Sequence, residues 1–137
     1  MTKKIGMVSL LFLVWISLPA QAADFDGSTP LFCAFTKAIQ CHHQEGCQQV
    51  FPEDVNLPTF VKIDFKNKLV SATSETQDGK TRTTEIKSFQ RANGQLILQG
   101  HEARGWSAII GEKTGKLTLA VASEEDGFLL FGTCMVP

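Results

Sequence analysis

Apolar and polar side chains alternate along most of the second half of the chain. Val61, Ile63 and Phe65, for example, are separated by charged residues. Successive side chains of a strand point to opposite faces, so this alternation is typical of a half-buried β-strand. The pattern predicts seven strands, over residues 61–65, 69–75, 80–90, 95–100, 105–110, 116–122 and 127–133.

Short turn sequences separate these segments. They are Lys66-Asn67-Lys68, Asp78-Gly79, Asn93-Gly94, Ala103-Arg104-Gly105, Thr114-Gly115 and Asp126-Gly127. Asp-Gly and Asn-Gly tolerate the positive φ that two-residue hairpins require. No crossover helix fits between any two strands, so parallel pairing is excluded. The sequence predicts a mainly β fold, a seven-stranded antiparallel up-and-down meander that forms a curved sheet or a small barrel.

A different periodicity precedes the strands and predicts one N-terminal helix. Thr29 suits a helix N-cap and Pro30 suits the first helical position, since proline lacks the N–H that would be unpaired there. On a helix running to about Cys41, five apolar residues share one face: Leu31, Ala34, Phe35, Ala38 and Ile39. We therefore expect an α+β variant of the fold, with this helix packed on or in the sheet.

The first 22 residues have the pattern of a cleavable secretory signal peptide. Lys3 and Lys4 precede an apolar run over residues 5–18, and Ala20-Gln21-Ala22 matches the site that signal peptidase accepts. The run is shorter than the roughly 20 residues that a membrane-spanning helix needs. We expect residues 1–22 to be removed and residues 23–137 to form one domain, exported to the periplasm or secreted, with no membrane association after cleavage.

The charge of the chain argues against a nucleic-acid partner. The formal net charge is −1, and it becomes −3 once Lys3 and Lys4 leave with the signal peptide. The remaining basic residues are scattered, with no run longer than two. Nucleic-acid binding proteins usually carry a concentrated positive field, which is absent here.

Four cysteines, Cys33, Cys41, Cys47 and Cys134, predict two disulfides in an oxidising compartment. On the predicted helix, Cys33 and Cys41 would lie about 12 Å apart, beyond disulfide reach. Two pairings remain: Cys41–Cys47 with Cys33–Cys134, or Cys33–Cys47 with Cys41–Cys134. The first is slightly favoured, because the short segment between Cys41 and Cys47 closes easily into a loop.

The segment between Cys41 and Cys47 also contains His42 and His43, which are weak candidates for metal ligands. Thiolates and imidazoles bind zinc or copper, so metal binding through this loop is one alternative function. Adjacent histidines diverge in direction, however, and both sulfurs are expected in disulfides. A solvated loop is therefore the preferred interpretation.

Motifs for catalysis and cofactor binding are missing. The chain has no C-x-x-C-H haem attachment sequence and no G-x-S-x-G nucleophile motif. We therefore expect no catalytic residues and no cofactor, and an enzyme is only the third hypothesis for the function, after the two given below. Arg104 and Trp106 are candidate binding residues, since both types are enriched at interaction hot spots. Trp106 also alternates in phase with Ala108 and Ile110, which favours a core position.

Four segments resemble small exported bacterial proteins. They are Leu31-Phe32-Cys33 with Cys41, Asp54-Val55-Asn56-Leu57-Pro58, Gly105-Trp106-Ser107 and Phe131-Gly132-Thr133-Cys134. The resemblance covers nearly all of the predicted mature chain and implies no activity, cofactor or site. In size, compartment and β content the chain is also similar to periplasmic inhibitors of lysozyme, although it shows no counterpart of their inhibitory loop.

Two functions follow from this reading. The first is a non-enzymatic interaction protein of the bacterial cell envelope that recognises an envelope or extracellular protein in the manner of an inhibitor. The alternative is a carrier of a small apolar ligand inside a β-barrel. Whether the interior of the sheet is filled or empty distinguishes these two functions. We expect Leu31, Phe35 and Ile39 of the helix to fill the interior, which favours the interaction protein. The oligomeric state stays open.

Overall fold

The computed structural model describes residues 25–75 and 79–137. The predicted signal peptide and Asp78 of one predicted turn lie outside this range. Within it the chain forms ten strands and one short 3-10 helix, Pro52–Val55. The strands are β1 (Leu31–His42), β2 (Gly46–Val50), β3 (Phe60–Asp64), β4 (Leu69–Glu75), β5 (Thr81–Glu85), β6 (Ser88–Ala92), β7 (Gln95–His101), β8 (Gly105–Gly111), β9 (Lys116–Ala122) and β10 (Asp126–Met135).

The predicted N-terminal helix is wrong, because this segment is the twelve-residue strand β1. A β-bulge interrupts the register between Phe35 and Lys37. Leu31 and Phe35 face the core before the bulge, and Ala38 faces it after the bulge. The extra residue changes the phase of the strand. Leu31 and Phe35 are four residues apart and Phe35 and Ala38 are three apart, which are also helical spacings, so these residues suggested a helix although Cys33 between them is buried as well.

The predicted count of seven strands is also wrong. The β1–β2 hairpin replaces the helix and the loop after it, and the predicted strand over 80–90 divides into β5 and β6. Another correction concerns Asp126 and Gly127, which belong to β10 rather than to a turn. The turn lies just before them, where the Ser123 amide donates to the Asp126 carbonyl oxygen at 2.9 Å.

The antiparallel prediction is confirmed: the strands form one curled antiparallel half-barrel sheet in the order β5-β4-β3-β1-β10-β9-β8-β7-β6. Strand β1 lies inside the sheet, between β3 and β10, and β2 pairs with the C-terminal half of β1. The link from β5 to β6 connects the two edges of the sheet. In this link, the Ile86 amide donates to Lys68 and the Lys87 amide to Gln99, each at 2.8 Å.

The concave face of the sheet carries the core. Its most completely buried side chains come from four strands and are Leu31, Leu96, Leu98, Ile110 and Leu130. Phe25 packs against this core, and its amide donates to the Glu112 carbonyl oxygen at 2.9 Å. The rings of Phe65 and Phe89 lie 5.2 Å apart at the same end of the half-barrel. Aromatic side chains therefore cluster at this end.

Both predicted disulfides are present, in the favoured pairing Cys33–Cys134 and Cys41–Cys47. Cys33 and Cys134 are directly opposite each other on β1 and β10 and are buried, whereas Cys47 is exposed. The exclusion of a Cys33–Cys41 bond holds for a different reason, since eight residues of strand span about 26 Å. Two disulfides in a small β domain fit an oxidising compartment. No helix among the described residues is long and apolar enough to span a bilayer.

Candidate functional site

The concave face of the half-barrel encloses a cavity of about 610 Å³. Apolar side chains of β3 and β4 line one wall: Val61, Ile63, Val70 and Ala72. The opposite wall comes from β8, β9 and β10 and contains Ala108, Leu117, Leu119, Val121 and Leu130. The volume lies within the range of roughly 300 to 1,000 Å³ that is usual for small-molecule sites.

The absence of the predicted helix explains why this space is open. Phe35 reaches the cavity from β1 and Leu98 reaches it from β7, each as part of the wall. Ile39 was expected to fill the interior together with Leu31 and Phe35, but it follows the bulge and lies on the other face of β1 from Ala38. No element among the described residues crosses the concave face.

Polar residues surround the mouth of the cavity, at the end opposite Phe25. Three segments meet there: residues 55–58 after the 3-10 helix, residues 82–84 of β5, and residues 102–104 between β7 and β8. Their polar side chains are Asn56, Arg82, Thr83, Thr84, Glu102 and Arg104. An apolar interior with a polar mouth can bury a hydrocarbon group and leave a polar group near water.

Trp106 forms part of the cavity wall and connects β8 to β5. Its indole Nε1 donates a hydrogen bond to Oγ1 of Thr84 at 3.1 Å. Gly100 is its partner on β7, and a Cβ atom there would collide with the indole ring and lie 2.5 Å from the Glu85 carbonyl oxygen. The glycine therefore provides the room that the ring occupies. Trp106 is half-buried, in phase with Ala108 and Ile110.

Arg104, the other candidate binding residue, lies at the mouth of the cavity, and the carboxylate of Asp126 partly balances its positive charge. Its Nη2 is 3.4 Å from Oδ2 of Asp126. Its guanidinium carbon is 4.9 Å from the centre of the Phe128 ring, within the range of a cation–π contact. The structure thus brings Arg104 and Trp106 to the same cavity.

Arg82 is a mouth residue that the sequence reasoning missed. Its Nη1 donates to the backbone oxygen of Asn56 at 2.7 Å and lies 3.3 Å from Asn56 Oδ1. Asn56 ends the 3-10 helix with a φ of 55°. Nothing in the sequence indicates that Asn56 lies beside the polar run from Arg82 to Glu85. These contacts hold segment 55–58 against β5.

The two histidines between Cys41 and Cys47 lie away from the cavity. His42 is half-buried and pairs with Asp126 of β10, and Nε2 of His43 is 2.9 Å from the Glu124 carbonyl oxygen. The sulfurs of Cys41 and Cys47 are bonded to each other, so they offer no thiolate. Within residues 25–75 and 79–137, no group of three or more His, Cys, Asp or Glu side chains is arranged to hold a metal ion.

Three carboxyl groups near the surface have lowered pKa values, and none of them lines the cavity. A hydrogen bond from Ser28 lowers the pKa of Asp26, and one from the Asn67 amide lowers the pKa of Asp64. Lys87 lowers the pKa of Glu85 through a hydrogen bond and its charge. These shifts reflect turn and strand contacts at the surface.

The convex face of the sheet exposes several apolar side chains between lysines. Phe32 is opposite Lys62 of β3, and Phe131 of β10 is opposite Lys37 of β1. We call this surface the convex apolar face and define it by Phe32, Phe60, Ile109, Leu129, Phe131 and Met135, all exposed.

Comparisons with known protein families, with curated proteins and with solved structures find no match for the chain. The fold and the cavity are therefore the basis for assigning a function.

Proposed function

We propose that the protein binds a small, largely apolar molecule inside the half-barrel. One observation carries this proposal: a cavity of about 610 Å³ with apolar walls that no element of residues 25–75 and 79–137 fills. Transfer of apolar surface from water into such a space is favourable by about 25 cal/mol per Å². The sequence analysis favoured an interaction protein because a helix was expected to fill the interior. Since that segment is strand β1 of the sheet, the interior is not filled by it, and the carrier becomes the first candidate.

The signal sequence pattern and the disulfides support a location outside the cytoplasm. Residues 1–22 have the features of a cleavable leader, and the Cys33–Cys134 and Cys41–Cys47 bonds persist in oxidising compartments. We therefore propose a periplasmic or secreted binding protein. By binding an apolar molecule, it would keep that molecule in solution in an aqueous compartment.

The fluorescence of Trp106, which lines the cavity, can report whether a ligand is bound there. The chain has two tryptophans and no tyrosine, and only Trp106 remains in residues 23–137. Titration of this mature form with straight-chain alkanols should give a saturable change in Trp106 fluorescence. Each added methylene should tighten binding about four-fold, because burial of one CH₂ contributes about 0.8 kcal/mol. The increase should stop when the chain length exceeds the cavity.

Two alanines provide a matched pair of variants. Ala108 is buried in the cavity wall, whereas Ala120 is exposed on the convex side of the neighbouring strand β9. Ala108→Phe should fill part of the cavity and weaken binding of the longest alkanols, while Ala120→Phe should leave binding unchanged. Absence of saturable binding to the parent, or equal effects of the two changes, would overturn the proposal.

The convex apolar face favours a second candidate, recognition of another protein. Lys37, Lys62 and Lys116 lie on the same side of the sheet as its apolar residues, as the strand register shows. The complementary partner is a protein surface that is apolar and acidic. Large exposed apolar patches commonly mark such interfaces.

This second candidate makes a different prediction for the same variants. A partner cross-linked from envelope extract should be lost with Phe131→Ser and at high salt, and retained with Ala108→Phe. Retention with Phe131→Ser would exclude the convex face. Sedimentation of the purified protein as a dimer that Phe131→Ser dissociates would show that a second copy covers this face instead, which also overturns the candidate.

A further inference from the structure

The charged groups at the mouth of the cavity differ in how far their charge is balanced. Arg104 pairs with Asp126 and lies over Phe128. Arg82 contacts the neutral oxygens of Asn56 and forms no ion pair with any side chain that the structure describes, a set that excludes residues 75–78. Glu102 is an exposed carboxylate in the same rim. Arg82 is therefore the cation whose charge remains available to a ligand.

We infer that the ligand is a single-chain amphiphile with a carboxylate head group, which Arg82 binds while the hydrocarbon chain occupies the cavity. The inference rests on the proposed function and adds the chemical class of the ligand. The apolar walls select the chain, and the position of Arg82 at the mouth places a cation where the head group of an inserted chain emerges.

The geometry of Arg82 leaves the required donors free. Nη1 is engaged with Asn56, whereas Nε and Nη2 form no hydrogen bond with the described residues. Two adjacent guanidinium N–H groups match the two oxygens of a carboxylate and bind them in a fork. One side chain can thus hold segment 55–58 and a ligand head group at the same time.

The same geometry argues against the other charged residues as the head-group site. A carboxylate at Arg104 would compete with Asp126 for the guanidinium. Among the described residues that line the cavity, a cationic head group would meet only the carboxylate of Glu102, at a rim that also carries Arg82 and Arg104. The negative charge of Glu102 instead opposes anion binding. Replacement of Glu102 by a neutral residue should therefore strengthen the preference for a carboxylate head group.

The test compares three probes of equal chain length, dodecanoate, dodecanol and dodecyltrimethylammonium, by Trp106 fluorescence of the mature form. We expect dodecanoate to bind about ten-fold tighter than dodecanol, a difference of about 1.4 kcal/mol. Arg82→Gln should abolish this preference and leave dodecanol binding within about two-fold of the parent. Glutamine keeps a polar side chain with an amide donor and removes the charge. Glu102→Gln should increase the preference.

A control removes one of the two contacts between Arg82 and the mouth segment. Asn56→Gly removes Oδ1 but keeps the carbonyl oxygen and tolerates the φ of 55°. It should retain the preference for dodecanoate.

The remaining outcomes distinguish the two proposals. Equal binding of dodecanoate and dodecanol, or tighter binding of the cationic probe, would overturn the inference and leave the proposed function standing. An equal loss of both ligands in Arg82→Gln would also overturn it, because Arg82 would then act only through segment 55–58. Absence of binding of all three probes would overturn the proposed function itself.

Discussion

The indole of Trp106 donates a hydrogen bond to Oγ1 of Thr84 at 3.1 Å, and this bond joins β8 to β5 across the curled sheet. These two strands are not neighbours in the sheet and share no backbone pairing. The ring rests against Gly100, whose missing side chain leaves the space. Part of the cavity wall is therefore formed by one side chain between strands.

A substitution at Gly100 should disturb this arrangement. In Gly100→Ala the new Cβ would meet the indole ring and the Glu85 carbonyl oxygen, so we expect a loss of roughly 1 to 3 kcal/mol in the free energy of unfolding. Gly105→Ala is the control, since its Cβ would have only an ordinary contact at 4.0 Å. Urea denaturation of both variants provides the comparison. Equal stabilities would mean that the ring does not depend on this glycine.

The two disulfides should contribute unequally to stability. Cys33–Cys134 closes a loop with a sequence separation of 101 residues, and Cys41–Cys47 closes one of 6. In the chain-entropy model these loops correspond to about 4.7 and about 2 kcal/mol. Replacing the first pair with alanines should therefore lower the melting temperature more than replacing the second. The opposite order in calorimetry would contradict the prediction.

The order in which the disulfides are reduced should follow their exposure. Cys33 and Cys134 are 3% and 4% exposed, whereas Cys41 and Cys47 lie nearer the surface. A thiolate must reach the sulfur that it attacks, so mild reductant should open Cys41–Cys47 first. Mass spectrometry of alkylated peptides measures the order. Earlier alkylation of Cys33 and Cys134 would mean that the core opens more readily than the hairpin.

Phe35 should be important for stability although it lies on a strand. Its side chain is 6% exposed and packs in the core at the edge of the cavity. Phe35→Ala should cost roughly 3 to 5 kcal/mol, as for other core aromatics. Lys37→Ala, two residues along on the exposed face, should change stability by no more than about 0.5 kcal/mol. Similar denaturation midpoints for the two variants would show that Phe35 is dispensable to the core.

Asp64 should contribute to the loss of stability in acid. The Asn67 amide and side chain donate to its carboxylate and hold its pKa below the ordinary value of 3.8. The folded state then favours the ionised carboxylate, so its contribution is present above the unfolded pKa and is lost as the pH falls through the folded pKa. Asp64→Asn should reduce the acid dependence of the denaturation midpoint. A titration by NMR that places this pKa at or above 3.8 would refute the assignment.

Local sequence features determined much of the sheet. Alternating residues such as Val61 and Ile63 occur in β3, and Asn93-Gly94 forms a turn with positive φ at both positions, 53° and 73°. These patterns act through neighbouring residues, because strand periodicity and turn φ angles are local properties. The disulfide bonds also followed from composition and context, and their favoured pairing is the one present.

Only the tertiary structure decided that the segment from Leu31 to His42 is a strand and that the interior is open. The bulge after Phe35 lies opposite Gly132, where a Cβ atom would collide with the Ala34 carbonyl oxygen. The residues that select a strand here are therefore about a hundred positions apart in the chain. Arg82 and Asn56 likewise meet at the cavity mouth through folding alone. Long-range pairing, rather than local preference, placed these residues, because the helical spacing of β1 is overridden by its hydrogen bonds to β3 and β10.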